Sequence, residues 1–258
     1  MNYFIEGLQG SGKSTLVTKL SAKYPDYRYI TEGDYSPIEL AWCAKVSREE
    51  YGAILTKYDR IRHEIEEKSH EEEDGIVICY TKIMTDIPGF YQDLEKHEIY
   101  NGRIPFEDFK TMILTRFSNW KSDGNIFECS IFQNIVEDMI LFRNATDDEI
   151  LDLYRQIAAA LEGKEYHIVY LKAADIPSNI AVIRKERSDD KGNELWFPMM
   201  MGFFDNCPYS KANGVSGEEA LYEHLAHRQE LELRICREIF PGRFTVLESK
   251  GYKEEDLP

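Results

Sequence analysis

The residues best suited to chemistry lie near the start of the chain. Gly7 to Ser14 has the sequence G-L-Q-G-S-G-K-S, which fits the pattern G-x-x-x-x-G-K-[ST] at every fixed position. Glycines let successive backbone N–H groups turn inward around a phosphate, and the helix that follows adds the positive end of its dipole. In this pattern Lys13 reaches the β- and γ-phosphates of a nucleotide, and the hydroxyl of Ser14 binds Mg²⁺.

The flanks of this loop fit the same chemistry. Residues 2–6 are apolar and aromatic and predict a strand, and residues 13–19 predict a helix. A nicotinamide dinucleotide is disfavoured as the ligand because the loop lacks the third small residue of G-x-G-x-x-G. The predicted cofactors are therefore ATP and Mg²⁺. The predicted ATP contacts are Gly7, Gln9, Gly10, Ser11, Gly12, Lys13, Ser14 and Thr15.

Carboxylates end two further predicted strands. The strand at 27–30 leads into Thr31-Glu32-Gly33-Asp34, and the strand at 125–128 ends in Glu128. Open α/β sheets bind ligands beyond the carboxyl ends of their strands, which makes these side chains candidates for a site. Glu128 is predicted to hold Mg²⁺-bound water together with Ser14. Glu32 and Asp34 are alternatives for a catalytic base, and the sequence does not decide between them.

A pair of arginines follows the predicted strand at 166–171. Arg184 and Arg187 are three residues apart and share one face of a helix, so both can converge on phosphate oxygens. The alternative is a solvated surface on which they pair with Glu186. The apolar segment 195–204 follows, and three roles stay open for it: a lid, a dimer surface that would make the chain a homodimer, or a loop packed in the core.

Two other groups of polar residues are weaker candidates for metal binding. The acidic run 71–74 is predicted to be a solvated loop rather than a metal site. His224 and His227 share a helix face, but no zinc-binding pattern surrounds them. We therefore predict an exposed helix at these histidines.

The order of predicted elements indicates how these residues are positioned. Strands alternate with helices, which predicts parallel βαβ units and an α/β sheet covered by helices on both faces. No linker or repeat divides the chain. We predict a single domain over 1–258, with an acceptor-side insertion at about 37–122 and a lid at about 184–215.

Composition excludes several classes of protein. With 31 Lys+Arg against 47 Asp+Glu the net charge is −16, which disfavours binding to nucleic acid. No apolar stretch approaches the roughly 18 residues of a membrane span, and the first residues lack the pattern of a signal peptide. The five scattered cysteines predict free thiols. A cytoplasmic protein without membrane partners is therefore expected.

The string from Ile5 to Thr15 resembles the start of thymidylate kinases and deoxynucleoside kinases. The resemblance continues in short motifs. Glu32 falls where the nucleoside enzymes place their base, Glu128-Cys129-Ser130 is similar to their E-R-S motif with cysteine replacing arginine, and Arg184 to Arg187 is similar to their arginine-bearing lid. It implies a three-layer P-loop NTPase fold and a catalytic set of Lys13, Glu32, Arg184 and Arg187.

These observations together predict a Mg-ATP-dependent kinase. The γ-phosphoryl group would pass to a hydroxyl or phosphate of a small acceptor, and a nucleoside, a nucleotide and an antibiotic-like compound all stay open. The alternative is a regulatory ATPase or switch that acts on a protein partner. It is disfavoured because no apolar strand ends in the aspartate that such proteins use.

Overall fold

Strands of this chain form two sheets in the computed structural model, one of five strands and one of three. The structure describes residues 1–121 and 123–256. The chain divides into two units, the first made of Met1–Tyr29 and Lys121–Pro258 and the second of Ile30–Trp120. Ser122, the end of the predicted insertion, lies outside the described residues, as do the last two residues of the chain.

Strands and helices alternate in the first unit, and short helices and strands mix in the second. The strands are β1 (Asn2–Gly7), β2 (Arg28–Ile30), β3 (Ala44–Val46), β4 (Ser69–Glu72), β5 (Gly75–Ile78), β6 (Asn125–Glu128), β7 (Tyr166–Lys172) and β8 (Phe244–Glu248). The α-helices are α1 (Lys13–Lys23), α2 (Arg48–Lys57), α3 (Arg62–Glu67), α4 (Phe90–Glu95), α5 (Phe106–Asn119), α6 (Gln133–Glu137), α7 (Asp147–Ala160), α8 (Ile176–Glu186), α9 (Trp196–Asn206), α10 (Pro208–Asn213) and α11 (Gly217–Ile239). Single 3₁₀ turns cover Asp59–Ile61, Tyr80–Lys82 and Glu254–Asp256, and a π-helical turn covers Asp138–Phe142. No helix of the described residues is long and apolar enough to span a bilayer.

The five-stranded sheet has the order β2–β6–β1–β7–β8. β1 is parallel to both of its neighbours, with Ile5 opposite Glu128 of β6 and Gly7 opposite Leu171 of β7, and β8 is parallel to β7. Parallel strands end on the same side of a sheet, so the loop after β1, Glu128 and the end of β7 lie along one edge. This mostly parallel sheet confirms the predicted α/β fold class.

Helices cover both faces of this sheet, as predicted. On one face Ile5 of β1 packs with Leu16 of α1 in an apolar cluster. Side chains alternate along a strand, so Glu6 lies on the opposite face, opposite Tyr170 of β7. There the Tyr170 hydroxyl donates a hydrogen bond to Glu232 of α11. The helices α1 and α11 therefore sandwich the sheet.

The second unit contains an antiparallel sheet of order β3–β5–β4. Its core combines apolar residues of β3 and β5 with those of α2, α3 and α4. The prediction of a solvated loop at 71–74 is wrong for residues 71–72, because β4 extends to Glu72 and pairs Glu71 with Ile76, whereas residues 73–74 form an exposed turn. Glu72 is held by Lys45 at 2.9 Å and by two bonds from Arg116 at 2.8 and 2.9 Å. Two cations and a partner strand thus replace water around this carboxylate.

Candidate functional site

The loop between β1 and α1 is shaped by glycines that no other residue could replace. Gly7 has φ +138°, and a Cβ there would lie 2.5 Å from the carbonyl oxygen of Leu171. Gly10 has φ +77°, and a Cβ there would lie 2.9 Å from the carbonyl oxygen of Asn179. Positive φ and contact with neighbouring backbone both require glycine. The loop is therefore held tightly against β7 and α8.

Lys13 closes this loop from within. Its side chain is 7% exposed, and its Nζ donates hydrogen bonds of 2.9 Å to the carbonyl oxygens of Gly7 and Leu8. The ammonium group thus lies against the backbone of the loop, at the N-terminus of α1. The helix dipole adds positive potential at the same place. A phosphate group is the ligand that this combination of charge and backbone N–H groups favours.

Ser14 and Glu128 lie together beside the loop. The Ser14 hydroxyl, at the start of α1, donates a 2.6 Å hydrogen bond to Oε1 of Glu128, at the end of β6. A hydroxyl and a carboxylate are the hard oxygen ligands that Mg²⁺ prefers, and Mg²⁺ commonly takes its remaining ligands from water and substrate phosphates. Among residues 1–121 and 123–256 no group of three or more His, Cys, Asp or Glu side chains could hold a metal ion. The residues present, Ser14 and Glu128, fit Mg²⁺ that takes its other ligands from water and phosphate oxygens.

Two polar side chains hold the loop from outside, and the sequence analysis missed both. Asn179 of α8 donates a 2.6 Å hydrogen bond to the carbonyl oxygen of Gln9. Ser249, just after β8, donates a 2.8 Å hydrogen bond to the carbonyl oxygen of Ser11. Each is a single polar residue far along the chain, and no local pattern identifies it. The loop conformation is thus fixed by α8 and by the segment after β8.

Glu6 is a third residue that sequence reasoning missed. It is fully buried at the end of β1, where its carboxylate accepts hydrogen bonds from the backbone N–H groups of Ile131 at 2.8 Å and Gln133 at 3.3 Å. Burial, together with the charge of Glu232, raises the pKa of Glu6 to about 7. The available sequence signal was a carboxylate in an otherwise apolar strand, directly before Gly7.

A buried ionic cluster joins α11 to α6. Arg228 is 0% exposed and forms ion pairs with Glu137 and with Glu232, the latter at 3.1 Å. The Nε2 atom of His224 lies 2.8 Å from Glu137. Burial raises the pKa of Glu137, but the charges of Arg228 and His224 outweigh it and lower this pKa to about 2.

The cluster corrects the expectation for the histidines. His224 is buried, so the prediction of an exposed helix face is wrong there, whereas His227 is exposed and contacts Asp147 at 2.8 Å. The helix α11 covers one face of the sheet, and His224 lies on its inner side, where Glu137 pairs with the Nε2 atom of the ring.

The two arginines of the predicted lid lie at the end of α8. Arg184 donates to both oxygens of Glu194, at 2.8 and 2.9 Å, and to Glu218 at 2.9 Å. Arg187 lies over the Trp196 ring, 5.3 Å from its centroid. The carboxylates that pair with Arg184 therefore come from beyond α8 and not from the neighbouring Glu186.

The predicted lid is largely helical after residue 195. Trp196–Asn206 forms α9, in which Phe197 and Phe204 are buried while Met199 is 66% exposed. Alternate burial along a helix is typical of a surface helix with one apolar face packed inward. One part of the apolar segment thus packs in the first unit, and another part faces solvent.

The alternative bases, Glu32 and Asp34, lie in the second unit and differ in their surroundings. Asp34 accepts a 2.9 Å hydrogen bond from the backbone N–H of Thr31 and another from its hydroxyl, and it forms an ion pair with Lys82 at 3.3 Å. Burial raises the pKa of Asp34, but these bonds and the Lys82 charge lower it overall. Asp34 therefore serves to close the turn.

Glu32 is held differently, by an aromatic side chain. Its Oε1 accepts a 2.9 Å hydrogen bond from the indole Nε1 of Trp42. Trp42 is 44% exposed and has φ +63°, a left-handed conformation that is unusual for a bulky residue and that marks functional or strained positions. The turn from Thr31 to Asp34 thus presents Glu32 beside an exposed indole.

No protein-family model matches the chain, and no curated protein matches it. Among solved structures the chain is similar to deoxyadenosine kinase from M. mycoides with bound dCTP, at TM-score 0.41 and 14% identity, covering 100% of this chain and 95% of that chain. The same enzyme with bound dATP gives TM-score 0.38 and 14% identity, covering 100% and 95%. With the products dCMP and dCDP it gives TM-score 0.38 and 16% identity, covering 100% and 94%.

Proposed function

We propose that this protein is a kinase that transfers the γ-phosphoryl group of Mg-ATP to a hydroxyl or phosphate of a small molecule, which is a nucleoside, a nucleotide or an antibiotic-like compound. In this proposal the whole chain, 1–258, works as one kinase domain. The segment 37–122 serves the acceptor, and the segment 184–215 forms the lid.

The observation that carries the proposal is the pair Ser14 and Glu128, 2.6 Å apart beside a glycine loop that Lys13 closes. Phosphoryl transfer depends mostly on positioning and charge neutralisation. The backbone N–H groups of residues 9–15 would hold the phosphates of ATP, and Lys13 would move from its carbonyl partners to the β- and γ-phosphates. Mg²⁺ would neutralise phosphate charge when bound, with Ser14 as a ligand and Glu128 holding its water.

Glu32 is the base in this proposal, in preference to Asp34. Asp34 accepts two hydrogen bonds from Thr31 and pairs with Lys82, and these contacts commit its carboxylate to closing the turn. The indole of Trp42 orients one oxygen of Glu32. An acceptor hydroxyl could then donate its proton to this carboxylate during attack on the γ-phosphorus.

Calorimetry with Mg-ATP tests the donor side. Lys13→Ala removes the charge that lies in the loop, and we expect it to abolish measurable binding of Mg-ATP and turnover. Lys23→Ala, an exposed lysine in the last turn of the same helix, is the matched control and should bind as wild type does. Circular dichroism checks that both variants remain folded. Equal binding by wild type and Lys13→Ala would refute the assignment of the loop.

A screen for acceptors tests the reaction itself. ATP turnover is measured with nucleosides, nucleotides and aminoglycoside- or macrolide-type compounds, and phosphorylated products are identified by mass spectrometry. A kinase is expected to show turnover that rises with one of these compounds. Turnover that rises only with an added protein would favour the regulatory ATPase instead.

A further inference from the structure

Two cysteines face each other inside the second unit. In the antiparallel pair of β3 and β5, Ala44 is opposite Ile78, and the next residues outward are Cys43 and Cys79. Their sulfur atoms lie 3.7 Å apart, and both side chains are buried. Opposed positions of antiparallel strands have Cα separations of about 4.5–5.5 Å, which is within the range that a disulfide spans. The two cysteines therefore lie at opposed positions that a cross-strand disulfide can connect.

The thiol of Cys43 also supports the turn that carries Glu32. The sulfur of Cys43 lies 3.6 Å from the carbonyl oxygen of Gly33 and 3.9 Å from that of Asp34, in addition to its contact with Cys79. A thiol has one proton to donate, so these acceptors share a single S–H. Loss of that proton would remove the donor from the turn.

The neighbours of both cysteines hold the same turn. Trp42, adjacent to Cys43, donates its indole N–H to Glu32. Cys79 directly precedes the 3₁₀ turn at 80–82, in which Lys82 Nζ donates to the Thr31 hydroxyl at 3.0 Å. Any movement that brings the two sulfurs together therefore acts on Glu32 from both sides of the turn.

We propose that Cys43 and Cys79 form a reversible disulfide with a peroxide as oxidant, and that this bond displaces the Glu32 turn and lowers phosphoryl transfer. The effect on transfer rests on the proposed function, whereas the disulfide does not. The sulfurs would approach from 3.7 Å to about 2.05 Å.

The chemistry balances with hydrogen peroxide as the only co-reactant. The Cys79 thiolate attacks one peroxide oxygen, the O–O bond breaks, and the products are a sulfenic acid and one water after proton uptake. The Cys43 sulfur then attacks the sulfenic sulfur, its proton leaves with the hydroxyl as a second water, and the S–S bond forms. Each sulfur is oxidised by one electron, and both peroxide oxygens are reduced to water. The hydrogen bond from the Cys43 S–H, despite burial, lowers the pKa of the Cys79 thiol, which favours Cys79 as the first to react.

Peptide mapping tests the disulfide without any need for activity. The folded protein is treated with hydrogen peroxide, blocked with iodoacetamide and digested without reductant. We expect one cross-linked peptide pair containing residues 43 and 79, with the mass of two hydrogens lost, and its disappearance after dithiothreitol. Cys43→Ala and Cys79→Ala should each abolish the pair. Cys207→Ala and Cys236→Ala, which remove buried cysteines of the first unit, should leave it unchanged. Absence of the cross-linked pair from the oxidised wild-type protein would overturn the proposal.

The effect on the turn is measured by fluorescence and by turnover. In a Trp120→Phe, Trp196→Phe background Trp42 is the remaining tryptophan, and its emission should change on oxidation and recover with dithiothreitol. With an identified acceptor, oxidation should lower kcat at least about tenfold in wild type and less than about twofold in Cys79→Ala, since a misplaced base loses much of its contribution. A disulfide that changes neither Trp42 emission nor kcat would overturn the control of the turn. A change in emission without kinase activity in either redox state would support the switch and contradict the proposed function.

Discussion

Replacing Glu6 by glutamine removes a carboxyl group that the fold buries completely, directly before the glycine loop. Burial and the Glu232 charge raise the pKa of Glu6 from its ordinary value of 4.5 to about 7. That difference corresponds to about 3 kcal/mol between the protonated and ionised forms of the folded protein. Ionisation of Glu6 therefore destabilises the folded protein, although the carboxylate accepts two backbone hydrogen bonds.

Because the pKa of Glu6 is higher in the folded protein than in the unfolded chain, the free energy of unfolding depends on pH. Below about pH 4.5 Glu6 is protonated in the folded and unfolded states, and no difference arises. As pH rises to about 7, the unfolded chain has released the proton that the folded protein still binds, so the free energy of unfolding falls by about 1.4 kcal/mol per pH unit. Above this range both states are ionised and the loss stays constant at about 3 kcal/mol. The stability of wild type relative to Glu6→Gln should therefore decline across this interval.

Urea unfolding of the two proteins at several pH values measures this decline. Trp196 emission reports on the first unit when both proteins also contain Trp42→Phe and Trp120→Phe. Glu162→Gln, which removes an exposed carboxyl group of the same unit, is the control and should show no such trend. The quantity compared is the free energy of unfolding of wild type minus that of Glu6→Gln. If this difference changes by less than about 0.5 kcal/mol between about pH 4.5 and about pH 8, the predicted decline is refuted.

Three further predictions concern the proposed reaction. Glu128→Gln keeps the size of the side chain but removes its charge, so the Mg²⁺ concentration required for half-maximal turnover should rise at least about tenfold. If the Mg²⁺ titration is unchanged, Glu128 does not take part in magnesium binding. Arg184→Ala and Arg187→Ala should lower kcat more than ATP affinity, because lid arginines act on charge that develops during transfer. If both variants keep the kcat of wild type, the two arginines have no role in the reaction. Glu32→Gln should lower kcat by about 10²–10⁴-fold with little change in ATP binding, while Asp34→Asn should act mainly on stability. The reverse pattern in steady-state kinetics would move the role of base to Asp34.

The elements nearest the loop could be predicted because their patterns are local. The apolar run before Gly7, the glycines and the helix that starts at Lys13 are adjacent in the chain, and β1 and α1 appear there. The strands that end at Glu128 and begin at Tyr166 are likewise short apolar runs bounded by polar residues. Strand alternation with helices then limits the fold to a mostly parallel sheet, which is the observed one.

The contacts that hold the site could not be predicted in the same way. Asn179 and Ser249 bind loop carbonyls across 170 and 238 positions of sequence, and single polar residues show no periodicity. His224 is buried on α11, where its Nε2 atom pairs with Glu137 from another helix. Burial of a polar residue depends on its partner, and one sequence does not identify partners that lie far away in the chain.

The second unit was the least predictable part of the chain for a related reason. β3 has three residues, A-K-V, which are too few to show a clear alternation, and β4 has the sequence S-H-E-E, which contains no apolar residue. They form because β5, which is apolar, pairs with both of them. Strand pairing and the cations around Glu72 override the local preference of this one carboxylate for solvent, while Glu71, Glu73 and Asp74 stay exposed.

The first unit is built from two separate stretches of the chain, Met1–Tyr29 and Lys121–Pro258. This division sets the order in which a nascent chain can acquire structure. β1 is made first, but its sheet partners are β6 and β7, which the ribosome reaches only after residues 125 and 166. The intervening unit, 30–120, is continuous and contains all strands of its own sheet. Its contacts close smaller loops than those of β1, and smaller loops have a lower entropic cost of closure. During synthesis the second unit can therefore fold while β1 still lacks a partner, and the glycine loop between β1 and α1 takes its shape late.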